Sequence, residues 1–194
     1  MLAVRSNSRR MTSTNADEKF LDFGFQYYIA ARFGTRARLS PVAGNLFHHA
    51  IEMFLKAYLS RSMSSDAMKN KLGHKLKRQW DAFKSSFPTV HLSGFDKLIE
   101  ALDSFETIRY PDELITKGAE IVLALDRNVA GSTGQIGGTP IPRYEVVLAD
   151  VDELVRKIFA LSSRNPAFFT NPLNDYAREA LKFENSDISF FLPK

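Results

Sequence analysis

Asn45, His48, His49, Glu52 and Lys56 lie within one fifteen-residue stretch, NLFHHAIEMFLKAYL (45–59), whose other positions are almost all apolar. Imidazole and carboxylate groups one helical turn apart could share a metal ion, move a proton near neutral pH, or hold a ligand by charge and hydrogen bonding. On a helix advancing about 100° per residue, the five share one arc about 100° wide, with Glu52 between the two histidines. Val42, Leu46, Phe47, Ala50, Ile51, Met53, Phe54, Ala57 and Tyr58 fill most of the remaining girth. Such a helix belongs at the centre of a bundle, its polar stripe turned to water, a groove or a second subunit.

The stripe is expected to hold no metal: there is no HExxH pattern and no second His/Asp cluster with ligand spacing. Its plain alternative is an intrahelical ladder, Glu52 meeting Lys56 at i,i+4 for about 0.2–0.5 kcal/mol if exposed. His74 follows Gly73 at the start of a further helix, where it is expected to satisfy backbone groups or fix the preceding loop. Trp80 shares an apolar face with Leu76 and Phe83 and reads as core. The glycine-rich run GSTGQIGG (131–138) lacks the GK[ST] ending of a phosphate loop and reads as a flexible connection. No cofactor is expected.

The elements that must carry these residues are legible from periodicity and punctuation. Phe20, Phe23, Tyr27, Tyr28 and Ala31 predict helix one over Asp17 to Arg32, ended by Gly34. Ser40-Pro41 reads as a cap and first helical position, opening helix two from Pro41 to about Arg61. Ser62 to Lys71 reads as polar linker. A third helix starts near His74 and stops at Pro88, and a fourth, capped by Ser93, carries Phe95 to Ile108 and closes at Tyr110-Pro111. AEIVLALD (119–126) and RYEVVLAD (143–150) predict the strands of a hairpin. Asp150 is expected to cap a fifth helix and Asn171-Pro172 to open a sixth, ending near Phe183.

The fold class is therefore mainly α: an antiparallel helical bundle of four to six helices with a small β-hairpin insertion. Residues 1–14 are expected to form a disordered tail, with Met11 a plausible alternative start. Residues 15–194 would be one domain: bundle core about 17–112, hairpin 119–148, C-terminal helices 150–183.

Charge is unevenly spread. Residues 17–84 hold twelve Lys/Arg against six Asp/Glu, whereas 85–194 hold eleven against sixteen. Either a basic surface over Arg32, Arg36, Arg38 and the segment Arg61 to Lys84, or two mutually complementary surfaces, would produce this pattern. The chain has no cysteine, which excludes disulfides and thiolate chemistry and fits a cytoplasmic setting. No apolar run approaches the ~20 residues of a membrane span.

In order along the chain, an aromatic first helix, HHAIEMFLKAYL (48–59), KLGHKLKRQW (71–80) and FETIRYP (105–111) resemble the HEPN superfamily over about residues 17–112. The resemblance implies a helical bundle that dimerises and binds RNA or a nucleotide in a defence or toxin–antitoxin setting, with a nucleotidyltransferase-like protein as a further partner. It places Arg109 where the catalytic members have the arginine of an Arg-x4–6-His motif, but no histidine follows. None of His48, His49, His74 or His91 has an arginine five to seven residues before it. No catalytic residue is therefore expected, since arginine cannot serve as an ordinary base. Arg109 and Tyr110 are assigned to recognition or architecture, with an Arg109–Glu52 ion pair as the structural alternative. The expected groove comprises Asn45, His48, His49, Glu52, Lys56, His74, Arg109 and Tyr110. The alternatives are a metal-independent RNase or toxin with a non-standard catalytic set, using His48 or His49, and a protein-interaction module.

Overall fold

The computed structural model of the chain describes residues 13–106, 112, 118, 120–125, 135–136, 139–140 and 143–193. Among these the architecture is mainly helical, with nine α-helices and two small two-stranded sheets. Helices α1 (Ser13–Arg36) and α2 (Ser40–Leu59) form a long antiparallel hairpin. Gly34 does not end α1. It sits inside the helix, where its missing side chain lets the Ala43 methyl approach to within 3.1 Å of the position a Cβ would take. The chain turns instead at Arg38, which takes a left-handed φ of 59°. Leu39, not Ser40, is the N-cap of α2, so Ser40 and Pro41 both lie in its first turn.

Edge-on aromatic contacts lock the hairpin, with Phe25 and Phe54 ring centroids 5.5 Å apart and Tyr28 and Phe54 6.4 Å apart. The segment expected to be linker contains a helix, α3 (Ser65–Lys71), capped by the Ser64 hydroxyl accepting from the Ala67 N–H at 3.2 Å. Cap chemistry and the burial of Met68 outweigh its polar composition. Helices α4 (Leu76–Ser85) and α5 (Asp96–Ser104, entered through a 3-10 turn at Ser93–Phe95) pack against α2 and each other. Asp103 Oδ1 accepts from the Leu76 N–H at 2.8 Å, so α5 supplies the cap that α4 lacks in its own sequence.

Strands β1 (Glu120–Ala124) and β4 (Arg143–Val147) do pair, but in parallel, with Glu120 opposite Arg143 and Ala124 opposite Val147. A hairpin is ruled out by this direction. Its physical reason is the length of the connection, residues 125–142, which suits a parallel crossover far better than a tight turn. Within that connection β2 (Gln135–Ile136) and β3 (Thr139–Pro140) make a minimal antiparallel ladder. Arg143 fixes the parallel register by pairing with Glu120 at 3.0 Å.

Strand β4 runs directly into α6 (Leu148–Leu161), so Asp150 lies in the first turn rather than at the cap. The chain ends in α7 (Ala167–Thr170), α8 (Asp175–Lys182) and α9 (Ile188–Phe191). Asn174, whose Oδ1 accepts from the Ala177 N–H at 2.9 Å, opens α8 in place of Asn171-Pro172. One buried cluster runs through the assembly, drawing Phe25, Phe54, Trp80, Phe105, Val155 and Phe191 from successive elements. No helix among the described residues is long and apolar enough to cross a membrane.

Candidate functional site

Glu52 is the hub. Its carboxylate is buried on α2, yet among the described residues four side chains reach it. Lys56 Nζ donates to Oε1 at 2.7 Å, His74 Nδ1 lies 2.9 Å from the same oxygen, and Gln79 Nε2 stands 3.4 Å away. His49 Nδ1 is 3.4 Å from Oε2. Burial by itself would push the Glu52 carboxyl up, but the hydrogen bonds from His49 and Lys56 and the Lys56 charge outweigh it and hold the group far below its ordinary value. Glu52 is thus an anion at neutral pH and accepts hydrogen bonds from its neighbours instead of supplying a proton. A buried carboxylate of this kind persists only because it is paired on both sides.

The backbone explains how His74 arrives. Leu72 closes α3, and Gly73 then adopts a left-handed φ of 56° while its N–H bonds to Met68 O at 3.0 Å. This turn, strained for any residue with a Cβ, sends His74 back across the start of α4 toward Glu52. His74 therefore pairs with the carboxylate rather than capping backbone, which Asp103 does. Gln79, overlooked in the sequence reading, ties the turn to the hub by donating to Gly73 O at 2.9 Å. Its signal was available: Gln79 lies one turn after Leu76 and beside Trp80, a polar side chain on the apolar face.

His48 faces the opposite neighbour. It is fully buried, and its Nδ1 lies 2.9 Å from the Leu102 carbonyl of α5. A carbonyl only accepts, so Nδ1 carries the proton and Nε2 the lone pair. Burial lowers the basicity of this ring and keeps it neutral. Nε2 has no hydrogen-bond partner among the described residues. A ligand atom from each of His48, His49 and Glu52 lies within 4.8 Å of the other two. Asn45 stands apart from the hub's hydrogen bonds and turns its amide back to Pro41 O at 3.3 Å. Arg109 and Tyr110 lie outside the described residues.

Beside the hub opens a groove of about 460 Å³ lined by Phe20, Lys56, Ser65, Met68, Lys69, Gly73 and His74. Its floor combines an aromatic ring, a thioether and two lysines. Arg32, expected on a basic surface, is fully buried. It pairs with Asp152 of α6, donates to Ala180 O at 2.8 Å and to Phe183 O, and lies beside Tyr28, whose hydroxyl also donates to Asp152. Burial first, and then the Asp152 charge, push the Tyr28 phenol well above its ordinary value, so it stays a neutral donor. Arg36 and Arg38 remain exposed, as do Lys69, Lys71, Lys75, Lys77 and Arg78. Compared with protein-family models, curated proteins and solved structures, the chain has no significant match.

Proposed function

We propose that the chain is a HEPN-like, non-catalytic helical protein that binds RNA or a nucleotide in the groove beside Glu52, as a homodimer and in a defence or toxin–antitoxin setting. The observation that supports this reading most is the way Lys56 and His74 converge on Glu52 at the wall of a groove also lined by Phe20 and Lys69. A bare carboxylate would repel phosphate. Paired by Lys56 and His74, it instead anchors those side chains at the groove wall, leaving Lys69 for phosphate and Phe20 for stacking on a base. The motif order of the sequence supports the same assignment, as does the exposed basic run from Lys69 to Arg78. Phe33, Leu39 and Val42, 40–55% exposed beside the α1–α2 turn, offer apolar surface for self-association. A nucleotidyltransferase-like partner follows from the resemblance alone.

Filter binding with single-stranded RNA and with nucleoside triphosphates, across rising salt, tests the reading. Affinity is expected to fall steeply with salt, and Lys69→Ala to reduce the salt slope by about one. A folded sample with no detectable binding at low salt would overturn it. Cleavage of RNA by pure protein in the presence of chelator would replace it with the RNase alternative.

A further inference from the structure

We propose that His48, His49 and Glu52 form a three-ligand site for a divalent transition-metal ion of the zinc and cobalt class. Three residues at i, i+1 and i+4 on α2 place one ligand atom each within 4.8 Å of the others, with Glu52 flanked by the two histidines. The inference does not rest on the nucleic-acid reading, because none of the three ligands lines the groove beside Lys56 and His74.

Three features argue for a built site. First, the orientation of His48 is fixed from behind: its Nδ1 is engaged by the Leu102 carbonyl at 2.9 Å, leaving the Nε2 lone pair without a partner among the described residues. Ligating histidines are held in this way, one nitrogen on a backbone carbonyl and the other on the metal. A buried lone pair that accepts nothing forfeits its hydration, and a cation would restore that loss.

Second, Glu52 divides its oxygens. Among the described residues, Oε1 takes Lys56, His74 and Gln79, while Oε2 meets only the long His49 contact at 3.4 Å. The carboxylate is thereby ionised and oriented before any ion arrives, which is what a ligand must be. Third, the spacing suits a small ion. Bonds of about 2.0–2.1 Å in a tetrahedral shell put ligand atoms about 3.3 Å apart. His49 Nδ1 and Glu52 Oε2 already stand near that separation, and rotation of the half-buried His49 ring closes the remainder while His48 stays on the Leu102 carbonyl.

Two imidazoles and one carboxylate favour zinc, cobalt or nickel over magnesium or calcium, which prefer an all-oxygen shell. The Lys56 ammonium on Oε1 opposes a second cation on Oε2, so affinity is expected to be micromolar and to tighten in Lys56→Met. The test uses untagged full-length protein, stripped with chelator, titrated with Co²⁺ and followed by visible d–d absorption, with Zn²⁺ as competitor. Expected is a saturable band displaced by Zn²⁺, weakened about tenfold or more in both His49→Ala and Glu52→Gln. His49 is chosen because its side chain is 28% exposed, and circular dichroism checks that both variants fold. A chain that gives no saturable band up to millimolar Co²⁺, or variants that bind as tightly as the parent, would overturn the proposal.

Discussion

Asp96 ties down the chain's one tryptophan, and the pairing can be read optically. Trp80 Nε1–H donates to Asp96 Oδ1 at 2.7 Å and Lys84 Nζ to the same oxygen at 2.8 Å. The Lys84 bond, and then that of Trp80, hold the Asp96 carboxyl below its ordinary 3.8. A carboxyl with a depressed folded value adds stability above its unfolded value and loses it as the pH falls toward the folded one. Trp80 fluorescence is therefore expected to change with a midpoint below the ordinary 3.8 of an aspartate, and the transition to vanish in Asp96→Asn; a titration persisting in that variant would contradict the assignment. At the hub, Glu52→Gln keeps the shape but loses the charge that Lys56 and His74 address. It is expected to cost about 2 kcal/mol in urea denaturation, in line with hydrogen bonds to charged groups. The stripe of Glu52, His49 and Lys56 was legible from helical spacing alone. The partners of Gln79 and His74 were not, because both depend on how α4 and the turn before it dock against α2.

Between elements, the decisive contacts are close approaches and buried charges. A Cβ at Gly44 would lie 2.0 Å from a ring atom of Phe105, a buried side chain just after α5. Gly44→Ala gains helix propensity of up to about 1 kcal/mol. It must also displace Phe105 from the core, so a net loss of about 1–3 kcal/mol is expected in thermal or urea unfolding. The Arg32–Asp152 pair joins α1 to α6, and Arg32 also reaches the end of α8. Removing one partner by Asp152→Ala leaves an uncompensated buried guanidinium and is expected to cost about 3–5 kcal/mol. Composition counted Arg32 with its exposed neighbours; its periodicity with Tyr28, one turn earlier on the buried face of α1, was the missed signal. The parallel β1–β4 pair was misjudged for a related reason: β-branched runs flanking glycines specify strands, but direction follows from the long connection and from how β4 feeds α6.

For the whole molecule, the predictions concern association and charge. Light scattering at micromolar concentration is expected to give twice the 21.9 kDa chain mass, and a species of single mass would contradict the homodimer. Charge substitution at Phe33 and Val42, both strongly exposed, is expected to shift that equilibrium toward monomer if the α1–α2 turn carries the contact. The basic first half supplies the exposed cations Lys69 to Arg78, with Arg32 removed from that account by burial.

By itself the sequence determined the helical class, the central position of α2 and the single polar stripe upon it. These follow from short-range periodicity, which residue order states directly. Tertiary structure alone decided that Glu52 is a paired anion, that His74 and Gln79 close on it from α4 and the turn before it, that the His48 lone pair has no partner among the described residues, and that Arg32 is core. Each of these depends on which distant segment lands against α2 or α1, and burial, which sets the charge and the partner of a polar group, exists only once the chain has packed.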